Sequence, residues 1–368
     1  MTVAYLRLTD LYLKVRPVFS PDRSQVLQLV AAAVRAPSAD NRHHVRFAIH
    51  DDGLALHADD FFLHCRAIHR RLLTLLSYGA VVENLRLKLT EYGWTFEPRW
   101  FPDPDNPALL LRIEWSALRS AASPEPLARF IESRHTNRRF FRGPGLSPDE
   151  FSVLAAAVGN DAEPTLEWFD TPDRRRAILK LIRVAETERF GSRVLHEELF
   201  ESIDFDAGWK DATTELLAPA TLEIEPIMRM PFRAMRRWPL MRAANRLGAH
   251  RGLGLRAGDL PARTAPHLGA LTSMLPPNEA ALAIGTGFQR LWLAAEQAGL
   301  ALQPMVASAI LATQTDSEEG VSDGTREVLK DGWRSLVGEA LPLVVFRLGH
   351  ARKPRVVSGR RAVEDYLM

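Results

Sequence analysis

One order of elements occurs twice along this chain, and that repetition constrains the fold more than any other feature. In the first stretch, Arg23 to Val34 carries apolar residues at helical spacing and stops at Arg35-Ala36-Pro37, where proline disfavours helical geometry in the residue before it. Two alternating runs, Val45 to His50 and Leu54 to Ala58, flank Asp52-Gly53, a strong hairpin signal. His69 to Tyr92 returns to helical spacing and ends at Gly93, and Leu109 to Trp115 reads as a strand. Beyond a Ser/Ala/Pro-rich stretch the order recurs. Ser147-Pro148-Asp149-Glu150 opens a helix, Leu166 to Phe169 is a short strand, and Arg174 to Phe190 is a helix. Further on come a strand at His267 to Thr272, a long helix from Asn278 to Gln297 and a central strand at Leu341 to Gly349.

These elements predict an α+β chain of two related halves: residues 1–119, a linker at 120–126, and residues 127–368 with an inserted cap near 222–258. At 46% hydrophobic and 25% charged, a sizeable core is within reach. The net charge of +2 gives no reason to expect a nucleic-acid partner. The single cysteine, Cys65, excludes disulfides, Cys-ligated zinc and Cys-bound clusters within one chain. Met1 to Val15 interleaves apolar residues with Arg7, Asp10 and Lys14, unlike a signal peptide, and no apolar run approaches the ~20 residues needed to span a bilayer. The expectation is a cytoplasmic protein with no membrane partner.

Three segments carry the chemistry. In Arg134-His135-Thr136-Asn137-Arg138-Arg139-Phe140, alternate residues of an extended chain face one way, so Arg134, Thr136 and Arg138 converge. Guanidinium forks beside a hydroxyl suit a phosphate. Alone, the segment reads equally well as a solvated basic stretch. Pro37-Ser38-Ala39-Asp40-Asn41 offers backbone groups, a hydroxyl and an amide to the edge of a planar heterocycle; alone, it is an ordinary helix-ending turn. Gly299-Leu300 leads through Gln303 into Pro304-Met305-Val306-Ala307, in isolation a plain connection from helix to strand.

Together, these segments resemble the nitroreductase superfamily, and most closely its Acg-like branch of internally duplicated single-chain flavoproteins. The carriers are Ala36 to Asn41, Arg134 to Phe140, Gly287 to Leu300, Gln303-Pro304 and Ser358-Gly359-Arg360-Arg361. The resemblance implies a nitroreductase-like fold in which the two halves form a pseudo-dimer around one FMN. It places Arg134 and Thr136 at the phosphate, Arg138 near flavin N1 and O2, Pro304 to Ala307 along the reactive centre with the Val306 N–H facing N5, and Arg360 and Arg361 completing the phosphate site. The loop Pro37, Ser38, Ala39 and Asn41 is lent by the first half. No Arg-x-Ser/Thr-x-Arg motif occurs in the first half and no Pro-Ser-x-x-Asn loop in the second, so a single site is expected.

The implied activity is hydride transfer from NAD(P)H through flavin to a small-molecule conjugated acceptor, a nitroaromatic or quinone. The alternative is a protein that binds or sequesters flavin without turnover, because relatives commonly carry Gln-Pro-Trp where this chain has His43-His44-Val45. His43 and His44 are placed in the substrate pocket, where they could donate protons near the ring; the preferred reading is hydrogen-bonded turn residues. No metal site is expected from His57, His64 and His69. Met228 to Arg256 interleaves methionine and arginine; it is taken as a cap over the flavin, against a membrane-surface or acidic-partner helix. The chain is expected as a monomer or as a dimer of such pseudo-dimers.

Overall fold

The computed structural model describes residues 21–117, 124–159, 163–316 and 319–368. The charged and apolar alternation at 1–15 and most of the linker at 120–126 lie outside them.

Helix α1 (Arg23–Val34) starts where Asp22 accepts the Gln25 backbone N–H at 2.8 Å while the Gln25 side chain accepts the Asp22 N–H at 2.9 Å. This reciprocal cap satisfies two of the helix's orphan donors. Strands β1 (Val45–His50) and β2 (Gly53–Ala58) form the antiparallel hairpin that Asp52-Gly53 signals. Gly53 is needed less for its turn than for space: a Cβ there would lie 1.8 Å from the carbonyl oxygen of Ile113 on the next strand. Helix α2 (Asp60–His64) is followed by α3 (Ile68–Thr90), whose end turns through Gly93 at φ 76°. Then come β3 (Trp94–Thr95), β4 (Arg99–Trp100), β5 (Leu109–Glu114) and β6 (Ser116–Ala117). The first sheet has the order β1-β2-β5-β4, antiparallel throughout.

Ser147 and Glu150 form a second reciprocal cap on α4 (Pro148–Val158), as their spacing predicts. Strand β7 (Thr165–Trp168) leads to α5 (Pro172–Gly191) and α6 (Arg193–Glu201). Residues 226–264 form a run of short helices, α7 (Pro226–Met235), α8 (Trp238–Asn245), α9 (Ala249–Gly254) and α10 (Leu260–Thr264), packed through Phe232 and Met241 onto Phe190, Phe200 and Phe205. Strand β8 (His267–Ser273), the long α11 (Pro277–Gln297), β9 (Ala301–Pro304), α12 (Ala307–Ile310), α13 (Asp323–Val337) and β10 (Leu341–Gly349) complete the α-helices and strands of the described residues. The second sheet, β7-β8-β10-β9, is also antiparallel, and all but the first residue of its inner strand β10 are buried, in keeping with an apolar run broken only by Arg347.

Helices α3 and α11 cross at the centre of the main core. Their backbones nearly touch, since a Cβ on Gly79 would sit 2.2 Å from the Leu282 carbonyl oxygen and one on Gly285 would sit 2.1 Å from that of Leu76. A buried chain of amides reinforces the crossing: Gln289 donates to Asn84 at 2.6 Å, and Asn84 donates to the Ala32 carbonyl of α1 at 2.8 Å. After β10 the chain returns to the first sheet, where Met368 N–H donates to the Phe47 carbonyl at 3.0 Å. That return sets where residues 350–361 run.

Candidate functional site

A cavity of about 780 Å³ opens between the loop after α1, the segment after residue 133, the cap, and the end of the chain. It is of the size typical for small-molecule sites. Pro37, Ser38, Ala39, Asn41, Arg134, Thr136, Arg138, Pro304, Met305, Val306, Ala307 and Arg360 all line it. Segments more than three hundred residues apart are therefore brought to one wall.

The backbone explains how. Asp40 and Asn41 are consecutive left-handed residues, at φ 56° and 59°, a conformation that Asp and Asn tolerate better than most. This kink turns the loop so that Asp40, Asn41 and their neighbours face inward. Asn137 is pinned on the other side of its extended segment. Its N–H donates to the Leu302 carbonyl at 3.1 Å and its side chain to the Arg352 carbonyl at 2.9 Å. Arg134, Thr136 and Arg138 thus point toward the cavity, although His135 reaches it as well.

The charge arrangement is unusual. Arg134 donates to the Arg35 carbonyl at 2.8 Å and stacks on Trp292, 4.4 Å from the ring centre. Arg360 donates to the carbonyls of Val34 and Ala36 and to the side-chain oxygen of Asn41, and it reaches the same Arg35 carbonyl at 3.4 Å. Two guanidiniums therefore share one oxygen at the C-terminal end of α1, where helix carbonyls lack internal partners and favour cations. Arg138 donates to the Thr221 carbonyl at 3.2 Å. Among the described residues, no carboxylate lies within ion-pair distance of these three guanidiniums. Burial foremost, then Arg360 and Arg35, lower Arg134 to about 9. Burial lowers Arg138 to about 10, and burial with Arg35 does the same for Arg360. All three remain charged at neutral pH, so the wall holds buried positive charge without a direct ion pair, offset by carbonyls, amides and a ring and, at longer range, by Asp40 for Arg138, Glu296 for Arg134 and Glu132 for Arg360. In addition, Arg134 Nε and Ser38 Oγ are buried without hydrogen-bond partners. A bound anion with several acceptor oxygens would satisfy both deficits. The residues present fit a phosphate-bearing ligand.

Three of the expected residues are placed elsewhere. His43 and His44 do not line the cavity. His44 pairs with Asp59 at 2.8 Å and stacks on Phe61, which is the turn-residue reading. His43 is buried edge-on to Tyr366, and burial foremost, with Arg360 next, holds it well below the usual histidine range and hence neutral. Arg361 points away, over Tyr366 and toward Glu215 at 3.6 Å, because adjacent residues of an extended chain face opposite sides. The C-terminal cation at the cavity is Arg360 alone.

Other lining residues were not singled out from the sequence. Asp40 faces the cavity itself, and burial raises its carboxyl above the usual range. His69 bridges Glu319 at 2.9 Å and Glu198 at 3.4 Å, and Glu198 also accepts from Arg70 at 2.9 Å. Burial disfavours both charges, but their mutual pairing outweighs it, raising His69 and lowering Glu198 to about 2. The consecutive Asp-Asn pair was the available sign for Asp40. Nothing local marks the His69 cluster, whose members are up to 250 residues apart. Among the described residues no group of three or more His, Cys, Asp or Glu side chains is placed to hold a metal ion, and no helix is long and apolar enough to cross a membrane.

No family model matches the chain. Two curated relatives, from two strains of Mycobacterium tuberculosis and both described as "Putative NAD(P)H nitroreductase acg", are 25% identical over 187 residues, covering 49% of this chain and 55% of the relative. The chain thus spans about half the length of the curated relatives it matches. Among solved structures, a "putative nitroreductase" from Anabaena variabilis aligns with a TM-score of 0.43 at 11% identity, covering 90% of each chain. A nitroreductase-like family protein from Bacillus cereus gives 0.34 at 10% identity, over 68% of this chain and 98% of that one. The FMN-dependent nitroreductase NfnB from Mycobacterium smegmatis, solved with NADPH, gives 0.30 at 18% identity, over 64% and 90%. The chain is similar to nitroreductase-like proteins, distantly and, among the curated ones, across about half of its length.

Proposed function

We propose that the chain is an FMN-dependent oxidoreductase of the nitroreductase type, its two sheet-bearing halves acting as a single-chain pseudo-dimer around one flavin. The observation that carries this reading is the set of buried guanidiniums of Arg134, Arg138 and Arg360 on the cavity wall, none of which has a carboxylate within ion-pair distance among the described residues. Buried charges are ordinarily paired, and an unpaired cluster is expensive unless a ligand neutralises it. In this reading Arg134, Thr136 and Arg360 hold the phosphate with Ser38, Arg138 lies along the polar edge of the ring, and Pro304 to Ala307 form the wall beside its reactive centre. When bound, the flavin supplies two-electron transfer between a nicotinamide donor and a conjugated acceptor.

The protein's own contribution is binding, exclusion of water and electrostatics. Arg138 presents fixed positive charge to the cavity, which favours negative charge developing near it. The apolar cap residues Leu222, Ile224 and Phe232 limit water. Asp40, whose carboxyl burial raises above the usual range, faces the same cavity.

A reading as a flavin-sequestering protein is favoured by one observation, the aromatic core that anchors the cap over the cavity. Steady-state oxidation of NADH and NADPH with a nitroaromatic or a quinone separates the two. Turnover supports the oxidoreductase. Flavin that dithionite reduces, but that no nicotinamide reduces, supports sequestration.

A further inference from the structure

A water-facing helix is ordinarily polar outward and apolar inward. The cap inverts this. On α7 the inward Phe232 is buried, yet the outward face is Ile227, Met230, Pro231 and Ala234, with Ile227 84% and Met230 72% exposed. On α8 and the turn after it Met241 is buried, while Leu240 and Leu247 point out, Leu247 at 93% exposed. Single exposed apolar side chains need no explanation, but a row of them along consecutive helices marks an interaction surface. The polar residues of the segment are equally one-sided: residues 226–256 contain eight arginines and no aspartate or glutamate. Arg236, Arg237, Arg242 and Arg246 are exposed beside the apolar row.

We infer that the outer face of α7 and α8 docks onto an anionic lipid surface, lying on the bilayer rather than crossing it. Charge complementarity selects this occupant. A second copy of the chain, paired through a two-fold axis, would set arginines against arginines. A nucleic acid would engage the arginines but leave Ile227, Met230 and Leu247 against phosphate and water. An anionic bilayer takes both, apolar tips among the acyl chains and guanidiniums at the headgroups. The surface is also joined to the cavity, because Ile227 and Met228 belong to both. Docking therefore turns the cavity mouth toward the lipid, so that an apolar molecule dissolved in the bilayer reaches it without crossing water. The inference does not rest on the flavin assignment, since the surface stands with or without ligand.

The test is flotation of the full chain with phosphatidylcholine vesicles, with and without about one third phosphatidylglycerol. Binding is expected only to the anionic vesicles, and it should fall as salt is raised. Arg236→Gln with Arg242→Gln should weaken it about twentyfold, near fivefold per charge. Ile227→Ser with Leu247→Ser should weaken it at least about tenfold, from lost apolar insertion. Both pairs lie on the surface, and an unchanged unfolding temperature confirms that they fold. No flotation with either vesicle overturns the inference. So does binding that needs the arginines but not Ile227 and Leu247 and is matched by a DNA oligonucleotide, which would make this a polyanion site. A dimer that loses its stability in the Ile227/Leu247 variant and competes with vesicles also overturns it, by naming the second copy as occupant.

Discussion

Replacing Arg134 by methionine should move two quantities in opposite directions. Lowering the guanidinium to about 9, through burial first and then Arg360 and Arg35, corresponds to a cost of about 5 kcal/mol for the charged form at neutral pH. Two contacts offset part of it. The hydrogen bond to the Arg35 carbonyl contributes about 2 kcal/mol and the stacking on Trp292 about 1 kcal/mol. Methionine keeps the apolar stem against Trp292, and the Arg35 carbonyl keeps Arg360 as a donor at 3.4 Å. The FMN-free variant should therefore be more stable than the parent by about 2 kcal/mol. FMN affinity should meanwhile fall about 30- to 1000-fold, the usual range for losing one buried charged contact to an anion. The assay is thermal unfolding of FMN-free protein with and without added FMN, together with a binding titration by flavin fluorescence. The reasoning is refuted if the FMN-free variant is less stable and binds FMN as well as the parent, for Arg134 would then be a structural pin.

The same site gives a pH prediction with a definite sign. Unfolded Arg134 keeps its proton well beyond the pH at which the folded group releases it, near 9, so folding of the FMN-free chain gains stability as pH rises past 9, and the advantage of Arg134→Met in urea unfolding should shrink there. Ser38→Ala removes a hydroxyl that has no partner, so FMN-free stability should hold within about 1 kcal/mol while FMN affinity drops about three- to tenfold; a large loss of FMN-free stability would contradict the placement. Glu198→Gln should lower the imidazole pKa of His69 in an NMR titration. The pair's contribution is complete below the ordinary histidine pKa of 6.5 and is lost as pH rises through the raised value, so the gap between parent and variant should narrow in alkaline urea melts to what the Arg70–Glu198 pair contributes. Gly285→Val should cost about 3 kcal/mol or more in thermal unfolding, because its Cβ has no room beside the Leu76 carbonyl; an unchanged melting temperature would mean that α3 and α11 do not touch.

Local chemistry made much of the fold legible. The Asp52-Gly53 hairpin, the Ser147–Glu150 cap, the Gly93 stop and the apolar run of β10 each depend on neighbours within a few residues, and each marks an element in its expected place. Helix α13 escaped because it buries only Leu329 and Trp333, too thin a stripe to show a period. Helix α6 is nine residues long and follows α5 with a one-residue break, which periodicity does not resolve.

At the site, the alternation argument for Arg134, Thr136 and Arg138 needs only an extended backbone, and that much a sequence displays. Choosing between Arg360 and Arg361 needs to know which side of the returning chain faces α1, and a contact over three hundred residues away decides it. His43 and His44 invited a chemical role by residue type. The start of β1 instead turns them toward Tyr366 and Asp59. The balance of charge on the cavity wall, which carries the functional reading, becomes visible only when all partners are known.

The central claim, one phosphate-bearing flavin held by the arginine wall, is tested most directly by the absorption spectrum of the purified full chain and the flavin it releases on denaturation. The account predicts a yellow protein that releases one FMN per chain, or a colourless one that takes up one equivalent when FMN is added. A protein that stays colourless in excess FMN, or that binds riboflavin as tightly as FMN, would contradict it.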